Sequence, residues 1–369
     1  MKTVLVILDG LADGPVPSLS GRTPLAAART PHLDRLAAHG HCGRLLPTPE
    51  GCVPGSDTAI PALLGMAPYP GPYGRAGVEA TARGVLVHPH EAAFRINAVR
   101  VDRASGRVLE VASDGAADMV RRAAPVLAKA GVRLFPDTQG RHLAVLTCAP
   151  SLTSDPYSLI GRSLSEGGTL PLPELWRAVR EHLGGEWTLW PWGGGPGLPF
   201  GIQMPFGTVI SGVDLVRGLA LAAGAEAPRV AGVTGGLDTD YVAKSRATLA
   251  ALESHNQVVC HVESPDVAAH RRDPLAKVAA IEHIDRDLIG PLSAAPGVRV
   301  GITCDHGTSS VSGCHMRDPV PFLVSDLVTD TDTSRWGRPA RFDEAALAKT
   351  AVIGVKEWRE MLVEVAVAC

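Results

Sequence analysis

Four short, widely separated segments carry side chains that could bind metal ions or attack phosphorus. In each, an apolar, β-rich run delivers one or two polar residues to the point where the strand stops, which is where open α/β sheets place their ligand sites. Oxygen and nitrogen ligands gathered there would suit a two-metal phosphoryl-transfer site. The segments are VLVILDG with Asp9, PGSD with Ser56, SPDVAAH with Asp266 and His270, and CDHG with Asp305 and His306, followed by His315.

The spacing of the Asp and His residues predicts two metal ions. Asp266 and His270 are four residues apart, and positions i and i+4 of a helical turn share one face, so both can bind the same ion. Asp305 and His306 are adjacent, and their diverging side chains suit two ions better than one. Mixed oxygen and nitrogen ligation favours Mn²⁺ or Zn²⁺ over Mg²⁺. Any single Asp could be a helix cap and any single His a surface or core residue, but their joint occurrence favours ligands.

Ser56 is either a helix cap or a nucleophile. It follows Pro-Gly and begins a helical run, where backbone N–H groups and the helix dipole favour an anion. Serine often occupies such a position simply as an N-cap. The functional alternative requires a metal that makes the hydroxyl acidic enough to attack phosphorus. The presence of Asp9 and the C-terminal ligand segments favours the nucleophile.

Composition indicates an enzyme-sized protein and excludes several classes. The chain has 369 residues, 45% of them hydrophobic, and a formal net charge of −3, without the basic block that nucleic-acid binding requires. Seven cysteines lack a CxxC pair, which argues against a disulfide framework. No apolar stretch approaches the roughly 20 residues that span a bilayer, and the start MKTVLVILDG lacks a secretory-signal pattern. We expect a cytoplasmic protein with no nucleic-acid or membrane partner, whose oligomeric state the sequence leaves open.

The order of predicted elements indicates an α/β fold with an insertion. Strand patterns alternate with helical patterns, which favours a mostly parallel sheet with helices on both faces. From about residue 77 to 206 the apolar segments become shorter and Gly/Pro-rich turns separate them. We therefore predict a discontinuous metal-binding core, 1–76 and 207–369, and an inserted, smaller α/β domain, 77–206, that binds substrate and closes over it. The core strands are predicted at Val4–Leu8, Gln257–Val262 and Val298–Cys304, and the core helices at Thr30–His39, Thr58–Leu64, Tyr241–Leu252 and Pro274–Leu288.

Taken in order, these segments resemble the cofactor-independent (2,3-bisphosphoglycerate-independent) phosphoglycerate mutases of the archaeal-type branch, within the alkaline phosphatase superfamily. The likeness covers nearly the whole chain. It is strongest in ILDGLAD, GRTPLAAARTPHLDRLAAHG, PGSDTAIPALLG, YGRAGVEA, TGGLDTDYVAKSRATLAAL, HVESPDVAAHRRDPLAKVAAIEHIDRDL and CDHG…HMRDPVPFLV.

The resemblance implies an alkaline-phosphatase-like fold and a phosphomutase that interconverts 3- and 2-phosphoglycerate through a phosphoserine, without 2,3-bisphosphoglycerate. Lys244, in DTDYVAK, matches a family lysine near the transferring phosphate; otherwise it is a solvent-facing helix lysine. By this resemblance the ligands of one ion would be Asp266, His270 and His315, and those of the other Asp9, Asp305, His306 and Ser56.

Several departures from the family pattern affect the substrate pocket. An Arg-rich segment expected after AFRINAVRVD is replaced by GRVLEVASDGAAD, a second arginine site reads WPWGGGPG, and a Gly-Arg-Gly-Pro reads GRAG. A lysine usually found before the last metal histidine is absent from TSSVSGCH. Each lost guanidinium removes charge-assisted hydrogen bonds of about 1.5–3 kcal/mol. The remaining substrate-binding candidates are Arg75, Arg95, Arg100, Arg141, Arg162 and His142.

Three functions are therefore open at this stage. The first is a phosphomutase acting on phosphoglycerate or a close analogue. The second keeps the metals and Ser56 but passes the phosphoryl group to water or another acceptor, as a phosphohydrolase, a phosphotransferase or a phosphonate-processing enzyme. The third is a non-catalytic metal-binding protein, which would be expected to have lost the nucleophile or a ligand, and every such position is filled.

Overall fold

The structure, a computed structural model, describes residues 2–66, 74–112, 116–137, 142–151, 153–198, 201–325 and 337–362. The chain divides into two compact units, the first formed by Met1–Tyr69 and Gly201–Cys369 and the second by Pro70–Phe200. These divisions lie a few residues before the boundaries drawn from the sequence, and the second unit therefore includes Arg75. The role of the second unit as a substrate-binding domain stays a prediction.

The strands and helices of the described residues follow the predicted alternation. In chain order the strands are β1 (Lys2–Leu8), β2 (His41–Leu46), β3 (Ala92–Val101), β4 (Val108–Val111), β5 (Arg133–Phe135), β6 (His142–Leu146), β7 (Trp187–Gly195), β8 (Thr208–Ile210), β9 (Gln257–Val262), β10 (Val298–Thr303), β11 (Gly307–Thr308), β12 (His315–Met316), β13 (Val320–Val324) and β14 (Val352–Gly354). The α-helices are α1 (Pro24–Ala27), α2 (Pro31–His39), α3 (Ser56–Leu64), α4 (Arg75–Ala82), α5 (Ala116–Lys129), α6 (Pro173–His182), α7 (Asp214–Ala222), α8 (Tyr241–Ser254), α9 (Ser264–His270), α10 (Pro274–Ile284), α11 (Gly290–Ala294), α12 (Glu344–Leu347) and α13 (Val355–Leu362). None of the helices in the described part of the chain is both long and apolar enough to cross a membrane.

The first unit is built on a seven-stranded sheet with the order β14-β2-β13-β10-β1-β9-β8. The central strand β1 pairs in parallel with both β9 and β10, and β8 is parallel to β9. In β1, the residues from Val4 to Leu8 are fully buried, as expected of a strand covered on both faces. Only β13 runs antiparallel to its two neighbours. The predicted α/β fold with a mostly parallel sheet is confirmed.

The second unit contains a smaller antiparallel sheet. Its order is β4-β3-β6-β5, and β7 also pairs with β3. Buried Phe94 and Ile96 of β3 belong to one apolar cluster with Trp176 and Val179 of α6. This unit therefore has a hydrophobic core of its own, as a domain requires.

The helix predicted at Pro274–Leu288 is interrupted. After α10 the chain forms a π-helical turn, Asp285–Ile289, before α11 begins. The carboxylate of Asp285 accepts the backbone N–H groups of His32 and Leu33, at 3.1 and 2.7 Å. These groups lie in the first turn of α2, where N–H groups have no partner within their own helix. The change in helix type thus coincides with a contact between Asp285 and α2. Because the two segments are far apart in the sequence, the local pattern of apolar residues could not predict this contact.

Candidate metal centre

The candidate ligands lie at one edge of the large sheet. Asp9 follows β1, Glu263 follows β9, and Asp305 comes two residues after the end of β10. Since β1, β9 and β10 are parallel neighbours, their carboxyl ends lie at the same edge. Helix α9 begins directly beyond β9 and carries Asp266 and His270 back to this edge.

Asp266, His270 and His315 form a first ligand group. His270 Nε2 lies 3.1 Å from Asp266 Oδ2 and 3.1 Å from His315 Nε2. One ligand atom from each of the three residues falls within 4.8 Å of the others. The Nδ1 atoms of the two imidazoles contact the carbonyl oxygens of Gly313, at 2.8 Å, and Pro54, at 3.1 Å. A carbonyl can only accept, so Nδ1 carries the proton and both Nε2 atoms are free to bind a cation.

Ser56, Asp9, Asp305 and His306 form a second group. The His306 Nε2 atom lies 3.6 Å from Asp9 Oδ1, 3.3 Å from Asp305 Oδ2 and 3.4 Å from Ser56 Oγ. Ser56 is the first residue of α3, directly after the N-cap residue Gly55, and its hydroxyl donates to Asp9 Oδ2 at 3.2 Å. Asp266 also approaches this group, since atoms of Asp9, Asp266 and His306 lie within 4.8 Å of one another.

The buried carboxylates of the second group fit a divalent cation. Asp9 Oδ1 and Asp305 Oδ2 are buried and accept no hydrogen bond from the described residues. Such oxygens are costly to bury as anions unless a cation neutralises them. Burial, followed by repulsion from Asp305, Glu263 and Asp266, raises the pKa of Asp9 well above its ordinary value. Together with the imidazole nitrogens, these oxygens make a donor set of the kind that binds Mn²⁺ or Zn²⁺.

Known proteins are similar in sequence to this chain over most of its length. A model of the Metalloenzyme superfamily matches residues 1–342. The 2,3-bisphosphoglycerate-independent phosphoglycerate mutase of Methanothrix thermoacetophila is 34% identical over 363 residues, which cover 88% of this chain and 91% of that protein. The probable enzyme of the same name from Geobacter sulfurreducens is 31% identical, with 96% of each chain covered.

The chain belongs to the 2,3-bisphosphoglycerate-independent phosphoglycerate mutase family. It is a phosphoglycerate mutase-like isomerase whose ligand groups suit divalent metals, and the predictions of family and enzyme class are confirmed. The structure of the PH0037 protein from Pyrococcus horikoshii superposes with a TM-score of 0.76 at 26% identity, covering 98% of this chain and 96% of that one. The cofactor-independent phosphoglycerate mutase from Thermoplasma acidophilum, 23% identical, has the same fold with a TM-score of 0.58, covering 99% and 100%.

In the first ligand group of this phosphoglycerate mutase-like protein, all three residues have shifted pKa values. Burial opposes ionisation of Asp266, but its hydrogen bond with His270 and the charge of that ring outweigh burial, so the pKa of Asp266 is lowered. The same hydrogen bond raises the pKa of His270. Burial, followed by the charge of His306, lowers the pKa of His315. The hydrogen bond between Asp266 and His270 thus shifts the pKa values of both residues.

Sequence reasoning missed two residues beside Asp9. His261 Nε2 lies 3.1 Å from Asp9 Oδ2 and 3.9 Å from Glu263 Oε2, and the three residues form a further candidate ligand group. Burial and the charge of Lys244 lower the pKa of His261 to about 3, so the ring is neutral. The sequence did contain a signal for Glu263: it directly follows the predicted strand β9, just as Asp9 directly follows β1.

Gly10 allows the two ligand groups to approach each other. Its φ is +62°, in the left-handed region that favours glycine. A Cβ atom at this position would lie 2.6 Å from Asp266 Oδ1 and 2.7 Å from Asp266 Cβ. The glycine of ILDG is thus required both by the turn after β1 and by the close packing of Asp266.

Lys244 is buried rather than solvent-facing. It is fully inaccessible in α8, and its ammonium group donates to the carbonyl oxygen of His261 at 2.6 Å. Burial lowers the pKa of this lysine. The interpretation as an ordinary surface lysine of a helix is therefore wrong, whereas its role beside a transferring phosphate stays a prediction.

Two of the arginines that the sequence offered for substrate binding share one glutamate. Arg75 Nε and Arg95 Nη1 both donate to Glu79 Oε1, at 2.9 and 3.0 Å. The guanidinium of Arg95 also lies 5.1 Å from the ring centroid of Trp192, a cation–π distance. These residues make a partly buried group of two arginines and one glutamate in the second unit.

Two further candidates form ion pairs on the surface. Arg100 pairs with Glu110 at 2.6 Å and Arg162 with Glu166 at 2.8 Å, and all four side chains are exposed. Exposed pairs of this kind contribute little to stability. Their carboxylates nevertheless offset the positive charge that was expected to attract a substrate anion.

His142 is fully buried in β6. Its Nδ1 atom accepts the backbone N–H of Asp137 at 3.0 Å, so the neutral ring carries its proton on Nε2. Burial is the main cause of its lowered pKa. The neighbouring candidate, Arg141, lies outside the described residues.

A cavity of about 250 Å³ opens beside His306 in the first unit. Arg317, Glu50 and Asp318 are among its lining residues. Arg317 Nη1 donates to the carbonyl oxygen of Cys52 at 3.0 Å, and within the described ranges no carboxylate forms an ion pair with it. Sequence reasoning did not select this arginine, although it stands two residues after His315.

Proposed function

We propose that the protein interconverts 3- and 2-phosphoglycerate, or a close analogue, through a phosphoserine at Ser56. The observation that carries the proposal is the position of the Ser56 hydroxyl at the start of α3, 3.2 Å from Asp9 Oδ2 and 3.4 Å from His306 Nε2. A helix start favours a negatively charged phosphoryl group, and the adjacent carboxylate and imidazole mark a position for a cation. Related proteins carry the name of this activity.

Two divalent ions, Mn²⁺ or Zn²⁺, belong to this proposal. When bound, they supply a more acidic serine hydroxyl and neutralise charge on the phosphoryl oxygens. Asp266, His270 and His315 would hold one ion. The ligands of the other would be Asp9, Asp305, His306 and Ser56.

The transfer itself consists of two balanced steps. In the first, Ser56 Oγ bonds to phosphorus and the bond from phosphorus to the substrate oxygen breaks, while that oxygen takes up the proton that Ser56 gives up. In the second, the other hydroxyl of glycerate bonds to phosphorus and the phosphoserine bond breaks, which returns the proton to Ser56. No water and no 2,3-bisphosphoglycerate is consumed.

The remaining candidate residues would bind the anionic substrate. Lys244 would act beside the transferring phosphoryl group, with its Nζ atom held by His261 O at 2.6 Å. The substrate-binding candidates from the sequence stay Arg75, Arg95, Arg100, Arg141, Arg162 and His142. We add Arg317, because it lines the cavity beside His306 and donates to a carbonyl rather than a carboxylate.

A phosphohydrolase or phosphotransferase acting on another small phosphate ester or phosphonate is the second candidate. The observation that favours it is the pairing of Arg75 and Arg95 with Glu79, and of Arg100 with Glu110. Arginines engaged in this way offer less charge to a phosphoglycerate carboxylate. In this alternative, Ser56 and both ligand groups keep their roles, whereas the substrate and the acceptor differ.

A substrate comparison separates the two candidates. Purified protein supplied with Mn²⁺ or Zn²⁺ is assayed with 3-phosphoglycerate by ³¹P NMR, which distinguishes 2-phosphoglycerate from inorganic phosphate. The proposal expects 2-phosphoglycerate to appear without release of phosphate. Phosphate release, or faster turnover of a different ester or phosphonate in a parallel panel, would support the second candidate instead.

A further inference from the structure

We infer that Thr308 is a positioning residue that sets the tautomer of His306 and joins the two ligand groups. Thr308 follows the CDHG segment and is fully buried. Its Oγ1 lies 2.6 Å from Asp266 Oδ1 and 3.1 Å from His306 Nδ1. One hydroxyl thus contacts a residue of each group. The inference rests on the proposed two-ion function.

The directions of these two hydrogen bonds follow from the chemistry of the partners. The Thr308 hydroxyl donates to Asp266 Oδ1 at 2.6 Å, because a carboxylate oxygen is the acceptor in such a pair. The oxygen of that hydroxyl then accepts a hydrogen bond, and His306 Nδ1–H is the donor within reach. With the proton on Nδ1, His306 Nε2 presents its lone pair to Asp9, Asp305 and Ser56, where a cation would bind.

The backbone of Thr308 is itself firmly held. Its N–H donates to Ala12 O at 2.9 Å, and its carbonyl accepts from Lys277 Nζ at 2.8 Å. Lys277 is buried and pairs with Asp13 at 3.0 Å, and Asp13 Oδ2 also accepts the N–H and hydroxyl of Ser310, at 3.0 and 2.5 Å. The position of the hydroxyl is therefore fixed by contacts that do not depend on a metal.

Thr308 differs from the partners of the other two ligand histidines. Backbone carbonyls accept from His270 and His315, whereas His306 depends on a side chain. A substitution can therefore remove the partner of His306 without altering the main chain. Such a change also leaves Asp266 Oδ1 without the Thr308 hydrogen bond, so both groups are affected by one hydroxyl.

The test compares Thr308→Val, which keeps the shape but removes the hydroxyl, with Thr308→Ser, which keeps the hydroxyl. Thr248→Val is the control, because Thr248 is equally buried and its hydroxyl donates to the main chain of its own helix, to Lys244 O at 2.8 Å. Thr308→Ala replaces the valine variant if that variant does not fold. Binding of Mn²⁺ and Zn²⁺ to chelator-treated protein is measured by calorimetry, and ¹⁵N NMR of the imidazoles in metal-free protein reports the tautomer of His306.

We expect Thr308→Val to weaken metal binding by about 10- to 100-fold, as loss of an outer hydrogen-bond partner does, and to lose the Nδ1–H signal of His306. Thr308→Ser and Thr248→Val should stay close to wild type in both measurements. Unchanged affinity and tautomer in Thr308→Val would overturn the inference, as would an equal loss in Thr308→Ser. If wild-type protein bound no metal, the two-ion function would fail, but the tautomer measurement would still decide the role of Thr308.

Discussion

His270 and His315 face each other through their Nε2 atoms, 3.1 Å apart, while backbone carbonyls hold both Nδ1 atoms. Two nitrogen lone pairs at this distance repel each other unless a proton or a metal ion lies between them. The carboxylate of Asp266, 3.1 Å from His270 Nε2, adds negative charge at the same point. A cation bound at this point would remove the repulsion between the two nitrogen lone pairs.

The first prediction is that His270→Ala lowers the affinity for Mn²⁺ or Zn²⁺. The variant loses a direct ligand, so we expect a loss at least as large as the roughly 10- to 100-fold that an outer-shell change causes. Calorimetric titration of chelator-treated protein measures it. His39→Ala, an exposed histidine of α2, is the control and should bind normally. Equal metal affinity and stoichiometry in the two variants would contradict the ligand assignment.

The second prediction is that Ser56→Ala abolishes phosphoryl transfer while leaving the fold intact. Removal of the nucleophile should reduce turnover by a factor of roughly 10⁴ or more. Wild-type protein mixed with labelled substrate and quenched rapidly should carry label on Ser56, detected by mass spectrometry of the peptide. Ser254→Ala, at the exposed end of α8, should behave like wild type. Near-normal rates in Ser56→Ala would favour direct transfer to the acceptor.

The third prediction is that Gly10→Ala loses metal binding through a clash with Asp266. Gly21→Ala is a matched control, because Gly21 also has a positive φ, +75°, but its Cβ would meet nothing within 4 Å. Backbone strain should lower the free energy of unfolding by about 1–2 kcal/mol in both variants, and the clash with Asp266 should add to this loss in Gly10→Ala. Only Gly10→Ala should also lose metal affinity. If both variants bound metal equally well, close packing between Gly10 and Asp266 would not matter for the site.

The fourth prediction is that stabilisation by metal grows with pH. Burial and neighbouring carboxylates raise the pKa of Asp9, so in metal-free protein Asp9 favours folding below its ordinary pKa and loses this contribution as pH rises through the raised value. His270, whose pKa is raised by Asp266, likewise holds a proton that competes with an ion.

A bound cation removes the cost of ionising Asp9. The difference in Tm between metal-loaded and chelator-treated protein should therefore be larger at about pH 8 than at about pH 5.5. Scanning calorimetry at both values provides the measurement. A difference that stayed constant, or that shrank as pH rose, would argue against metal binding by these two residues.

The fifth prediction concerns substrate binding by Arg317. Arg317→Met should raise the KM for phosphoglycerate by about tenfold, the equivalent of one charge-assisted contact of about 1.4 kcal/mol, with little change in kcat. Arg317→Lys should recover part of the loss. Arg286→Met, which removes an exposed arginine paired with Asp287 at 2.6 Å, is the control. A normal KM in Arg317→Met would show that Arg317 does not contribute to substrate binding.

Much of the centre was accessible from the sequence alone. Apolar runs that end in Asp9 and Asp305 identify strands and the point where each stops, because a buried parallel strand must be apolar and its polar neighbour must lie at the sheet edge. The i, i+4 spacing of Asp266 and His270 identifies a shared helix face. Motif order was enough to predict the family and the α/β fold.

Only the tertiary structure shows which charged side chains remain available to bind a substrate or a metal ion. The pairing of Arg95 with Glu79, the burial of Lys244, and the contacts of Thr308 join residues that local periodicity cannot relate. Spacing specifies which face of one helix or strand a side chain occupies, but the partner of that side chain depends on how elements pack. Ion pairing and burial set the effective charge of a residue, and both arise only when the chain has folded.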